Sequence, residues 1–223
     1  MAIVITVALI AGKKDREKMA KQIAEKRNDL LVSNPRRAVV EALERIKDFS
    51  DYVFHDIKIN KNHIDCLFIS KKGIFVITAL NNEGSITGDI SEEHWINVNE
   101  QEFVLKNPLK ENKHGLDAVS NVLNQKTGLY NMVVFTKATS VNIINNDNNV
   151  ILYSELEKTF SELRDIFSEN DLMVFYNLID NHLNDHAFGD WLFSCLIFLW
   201  YLTIWYEPNA HPARTNNPTG ISI

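Results

Sequence analysis

Only two cysteines occur in the 223 residues, Cys66 inside an expected buried strand and Cys195 inside a long apolar run. They support no disulfide framework, which points to a reducing compartment for the main domain. Glycine is sparse at eight residues, and no glycine-rich phosphate loop is present. No Ser-His-Asp nucleophile arrangement can be recognised, and no internal repeat is visible. Positive charge is not in excess either. The 23 basic and 29 acidic residues give a formal net charge of −6, which argues against a protein that coats nucleic acid nonspecifically. The apolar start, Ala2 to Gly12, has no basic region ahead of it and makes a poor secretory signal.

What is present suits one domain with appendages. An apolar content of 45% and a charged content of 23% are ordinary for a folded protein long enough to bury a core. Charge is uneven: residues 13 to 37 hold nine Lys or Arg against four acids. A segment this short reads first as a solvated helix face and second as a phosphate or lipid contact.

Residues 13 to 31 favour a charged helix that stops before Ser33-Asn34-Pro35. Asn34 is placed to cap a second helix with Pro35 in its first position, running to about Lys47. Strands are expected at about 52–58, 64–69, 73–79, 84–89, 94–98 and 102–105. Asn107-Pro108 then opens a helix to about Leu123. Apolar strands follow at 130–136 and 150–152. Ser154-Glu155-Leu156-Glu157 has capping-box spacing and predicts a helix to Phe167, and a last helix covers about 170 to 183.

The stretch from Ile64 to Asn81, Ile-Asp-Cys-Leu-Phe-Ile-Ser-Lys-Lys-Gly-Ile-Phe-Val-Ile-Thr-Ala-Leu-Asn, reads as two apolar strands joined by a Lys-Lys-Gly turn. With Gly84-x-Ile-x-Gly88, Trp95, Asn107-Pro108, His114 and Val133-Val134-Phe135-Thr136 in the same order, it resembles the nuclease-related (NERD) domain family over about residues 36 to 160. That resemblance implies an α/β, restriction-endonuclease-like fold of the PD-(D/E)XK superfamily, a mixed central sheet flanked by helices. In that family the second strand ends Glu-x-Lys, where this chain has Thr78 and Leu80. The first domain helix there begins Gly-Glu, here Arg36-Arg37, and a Gln three residues beyond Asn-Pro is here Glu111.

Phosphodiester hydrolysis needs a metal clamp and a positioned water. Magnesium takes hard oxygen ligands, usually more than one carboxylate. Asp65 holds the first ligand position, Thr78 offers a hydroxyl without charge, and Leu80 offers nothing. The resemblance therefore implies a catalytically inactive domain, with Asp65 a weak, vestigial metal position. The alternative is a magnesium-dependent nuclease in which Glu41, Glu83 or Glu111 supplies a relocated ligand; Asp65, Glu111 and Glu41 are the leading catalytic candidates. No cofactor is expected unless the domain is active. Two transition-metal readings are weak. Strand alternation separates His63 and Asp65 from Cys66, and His182 and His186 lack a second ligand pair.

Trp191 to Tyr206 is a run of 16 residues without a charge, between Asp190 and Glu207. As a helix it would rise about 24 Å, slightly under a usual span. Trp and Tyr near both ends suit a membrane interface. A membrane segment, a buried helix and an oligomer contact are the readings, in that order. Residues 2 to 12, about 16 Å as helix, are either a shortened membrane anchor or a buried segment. The expected organisation is an apolar segment over 1–12, a basic helical linker over 13–35 and a NERD-like domain over 36–160. A helical extension over 161–186, a transmembrane or buried helix over 187–206 and a disordered tail over 207–223 follow. Lys13, Lys14, Arg16 and Lys18 would keep the main domain cytoplasmic. The expected role is a membrane-associated binding or scaffolding module for a partner protein or nucleic acid; a structural membrane subunit of a complex is the other alternative. The oligomeric state is not legible.

Overall fold

The computed structural model describes residues 18–25, 29, 31 and 33–184. The apolar runs at 2–12 and 191–206, His186 and the tail lie outside them. The chain divides into two compact units, Met1–Leu183 and Asn184–Ile223. Among the described residues, no helix is long and apolar enough to cross a membrane.

Helix α1 covers 18–25, with Asp29, Leu31 and Ser33 also helical. Helix α2 (Pro35–Ile46) starts where the sequence asks it to: Asn34 Oδ1 accepts from Arg37 N at 2.9 Å, and Pro35 sits at the first turn, where its missing N–H is no loss. Strands β1 (Tyr52–Ile59), β2 (Asn62–Ser70), β3 (Gly73–Asp89), β4 (His94–Val98) and β5 (Glu102–Lys106) follow. Then come α3 (Pro108–Leu123), β6 (Leu129–Ile144), β7 (Val150–Leu152), a 3-10 turn (Tyr153–Glu155) and α4 (Leu156–Glu162). Helix α5 covers 169–184. The result is the expected α/β class, a seven-stranded mixed sheet flanked by helices, consistent with a restriction-endonuclease-like architecture.

β3 is the spine of the sheet. Its first half lies between antiparallel β2, from Ser70↔Gly73 to Cys66↔Ile77, and parallel β6, from Ile74↔Leu129 to Leu80↔Phe135. Its second half lies between β4 and the remainder of β6. Three apolar clusters divide the two faces. Val39, Leu43, Phe75, Ile77, Met132 and Phe160 pack beneath α2 and α4. Ile64, Leu67, Ile74, Val76, Val119 and Phe175 pack beneath α3 and α5. Ile86, Trp95, Val133 and Phe135 fill the end near β4.

Four expectations are corrected here. The strands predicted at 73–79 and 84–89 are one strand, β3, continuous through a bulge at Asn81-Asn82, which is opposed by the single residue Thr136 of β6. β6 runs on to Ile144, beyond the predicted 136, because the second half of β3 needs a parallel partner. The helix predicted to reach Phe167 ends at Glu162, since Ile166 N and Phe167 N both donate to Lys71 O, at 2.7 and 2.9 Å, and pull that segment onto the β2–β3 turn. Ser154 does not cap that helix; instead Glu155 Oε2 accepts from Leu152 N at 3.0 Å, one turn earlier.

Candidate functional site

The site begins with a local break in the sheet. On one side of Asp65, the β1–β2 register passes from His55↔Cys66 to Ile57↔Ile64, and the residue between, Asp56, takes a left-handed backbone with φ +52°. On the other side, the β2–β3 ladder stops at Cys66↔Ile77. Both neighbouring strands therefore give way at Asp65. Its carboxylate enters the gap, and Oδ2 accepts from Ala79 N at 3.2 Å, a backbone donor that the ended ladder leaves over.

The other carboxylate oxygen is also taken. Arg36 Nε, at the start of α2, lies 2.8 Å from Asp65 Oδ1. The Asp65 side chain is only 10% exposed, so the pair is shielded on the carboxylate side. His63 Nδ1 approaches the same oxygen at 3.5 Å, while His63 Nε2 is hydrogen-bonded to Asp56 Oδ1 at 2.7 Å. That bond, with the adjacent imidazole charge, holds the Asp56 carboxyl below the usual carboxylate range. A row of alternating groups results: Asp56, His63, Asp65, Arg36.

These groups border a cavity of about 590 Å³ lined by Asn34, Arg36, Arg37, Val40, Glu41, His55, Asp56 and Asp65. Of the relocated carboxylates considered above, Glu41 alone shares this cavity, and it is paired with Arg37 Nε at 3.1 Å. Glu111 borders a different cavity, on α3, and is bound to Lys106 Nζ at 2.8 Å. Glu83 is paired with Lys137 on β6, which holds its carboxyl below the usual range. The structure thus brings Asp65 and Glu41 together and leaves Glu83 and Glu111 elsewhere.

Thr78 and Leu80 stand where the Glu-x-Lys pair would be. Ile77 and Ala79 belong to the core beneath α2, so alternation turns Thr78 to the opposite face. Leu80 packs against the cluster around Trp95. Thr136 Oγ1 lies within hydrogen-bond distance of both Leu80 O and Leu31 O, at 3.2 and 2.9 Å, and so ties the segment before α2 to this end of β3. Cys66, next to Asp65, is fully buried beneath α2, and burial pushes its thiol well above the ordinary range, which makes it a packing residue.

The donor set does not fit magnesium. Three carboxylates border the cavity, but each is already engaged: Asp65 at both oxygens by Arg36 and Ala79 N, Glu41 by Arg37 and Asp56 by His63. Among the described residues, no group of three or more His, Cys, Asp or Glu side chains is placed to hold a metal ion. Arg36 is the residue that sequence reasoning registered only as a departure. The signal was there, in Arg36-Arg37 replacing Gly-Glu, but its meaning required seeing which carboxylate the guanidinium reaches. Asp56 gave no signal, because a left-handed aspartate inside an apparent strand has no sequence mark.

Two residues that carried the resemblance, Asn107 and Gly88, hold the frame. Asn107, with no exposed surface, accepts at Oδ1 from Leu109 N and Lys110 N (3.0 and 3.4 Å) and donates from Nδ2 to Ile90 O and Glu92 O (3.0 and 2.7 Å). Gly88 has room for no side chain, since a Cβ there would stand 2.3 Å from the Trp95 ring, whose Nε1 donates to Asp89 O.

Residues 33–136 match the nuclease-related domain family, NERD. The chain is also 24% identical over 144 residues to an uncharacterized protein of Bacillus anthracis, covering 60% of this chain and 68% of that one. No solved structure matches the chain significantly. The segment 33–136, with its paired strands around Asp65 and its Asn107-capped helix, is a nuclease-related domain of the NERD family.

Proposed function

We propose that this chain is a catalytically inactive member of its family, a binding or scaffolding module that has kept the nuclease frame and filled its metal position with an internal cation. The observation that carries this reading is the 2.8 Å pair between Arg36 Nε and Asp65 Oδ1. A guanidinium supplies fixed positive charge and hydrogen bonds, but it neither polarises a water to hydroxide nor opens a coordination position. With Thr78 and Leu80 in place of an acid and a lysine, β3 supplies neither a second metal ligand nor a cation beside Asp65. The partner proposed is a protein or a nucleic acid. The uncharged run 191–206 supports membrane attachment, and the basic residues near the N-terminus support a cytoplasmic domain.

The test is cleavage of single- and double-stranded DNA and RNA by the full chain with magnesium or manganese, beside Asp65→Asn. The expected result is no metal-dependent cleavage by either protein. Cleavage by the wild type that Asp65→Asn abolishes would establish the second reading, a working nuclease. Glu41 would then be the ligand to examine, because it borders the same cavity as Asp65.

A further inference from the structure

β5 ends the strand path β1-β2-β3-β4-β5, and its outer edge has no strand partner among the described residues. The phase of its backbone can be read from the bonds that flank the β4–β5 ladder. Asn99 N donates to Gln101 O at 3.0 Å, and Asn107 N donates to Glu93 O at 2.9 Å. Between these lies the register from Val98↔Glu102 to His94↔Lys106. Hydrogen-bonded and non-hydrogen-bonded pairs alternate along an antiparallel ladder. Phe103 and Leu105 therefore turn their backbone groups toward β4. Glu102, Val104 and Lys106 turn theirs outward, to the free edge.

That outward set is self-complementary. We infer that β5 is the contact of a two-fold homodimer, in which it pairs antiparallel with β5 of a second copy about Val104. In this register Val104 faces Val104 of the partner subunit, and Glu102 faces the partner's Lys106 at both ends. All three are hydrogen-bonded pairs, so every outward N–H and C=O of the strand is satisfied. Phe103 comes opposite the partner's Leu105. The side chains that would be covered are exposed now, Val104 at 70% and Phe103 at 55%.

Any open strand edge is a template, and proteins usually blunt one with Pro, a bulge, a short length or charged side chains. β5 has no proline and no register shift, and its lysine meets an acid in this pairing. The selection of a second copy of this chain rests on that charge order, an acid two residues before the centre and a base two residues after it. A partner strand of unrelated sequence would not supply both. Lys106 also holds Glu111 at 2.8 Å, and the three donors of an ammonium allow it to serve both carboxylates. Five residues of edge make a small interface, so the dimer belongs to the weak, transient class.

The test is disulfide trapping in the full chain carrying Cys195→Ser. Cα atoms of a hydrogen-bonded antiparallel pair lie about 5.5 Å apart, within reach of a disulfide. Val104→Cys is expected to form a covalent dimer under mild oxidation at least about tenfold faster than Ile144→Cys, an equally exposed position on β6. Adding Glu102→Lys should slow trapping by a similar factor, and adding Lys106→Glu to that should restore it. Circular dichroism of each variant checks that it is folded. Equal rates for Val104→Cys and Ile144→Cys in folded protein would overturn the inference. So would trapping that ignores the charge reversal, because the charge order is what fixes the register.

Discussion

Gly84→Ala is expected to lower stability by about 3 kcal/mol or more, read as a fall in the urea midpoint of the full chain with an unchanged slope. Two effects add. Gly84 has φ +86°, a backbone conformation in which an L side chain costs about 1–2 kcal/mol. A Cβ there would also stand 2.0 Å from Val98 O and 2.8 Å from Val98 C. These are backbone atoms of β4, which is tied to β3 through Ser85↔Val98 and Ile86↔Asn97. Relief would require β4 to leave β3, and forced overpacking of this kind typically costs about 1–3 kcal/mol more. Gly84 lies just beyond the bulge, so the glycine lets one strand serve two neighbours in turn. A loss under about 1 kcal/mol would mean that β4 is not held there.

Asn107→Ala should cost about 3 kcal/mol by the same measurement. The substitution removes an N-cap, worth about 1 kcal/mol. It also strands Ile90 O and Glu92 O, which Asn107 Nδ2 now satisfies, and a buried unsatisfied group costs about 1–3 kcal/mol. Asn107→Asp separates the two roles. An aspartate can still accept from Leu109 N and Lys110 N, but it cannot donate to the two carbonyls, and it buries a charge facing them. It is therefore expected to be no more stable than the alanine variant. If Asn107→Asp behaves like wild type, the donor half of this arrangement does not contribute.

These two predictions fall on residues by which the family could be recognised, and that coincidence explains how much was legible. Gly84, Gly88, Trp95 and Asn107 can be read from sequence because each meets a backbone demand that few other residues satisfy: a positive φ, a close approach, or a buried cap with a donor. Asn34-Pro35 and Asn107-Pro108 marked two helix starts for the same reason. The interval at Asn81-Asn82 was read as a gap between two strands, and the parallel ladder to β6 shows it to be a bulge within one. The length of β6 and the end of α4 were set by partners distant in the chain, the second half of β3 and the Lys71 carbonyl, which no local pattern announces.

The candidate site was legible in what it lacks and not in what replaced it. Thr78 and Leu80 declared the missing acid and lysine. Asp65 stood out as the remaining ligand position, with Glu41 one of three relocated acids considered. What could not be read was that Asp65 is fully engaged, by Arg36 from α2 and by Ala79 N from a ladder that has come apart. Glu83 and Glu111 were reasonable as relocated ligands by chain position alone. Their lysine partners, Lys137 and Lys106, come from β6 and β5.

Arg36 is proposed to occupy the place of a metal at Asp65. The direct measurement is a calorimetric titration of the full chain with Mn²⁺, wild type beside Asp65→Asn. The two titrations are expected to superimpose, with no binding site that depends on Asp65 at millimolar metal. A site in the wild type with submillimolar affinity that disappears in Asp65→Asn would contradict this proposal, and would show that the guanidinium yields its place to a cation.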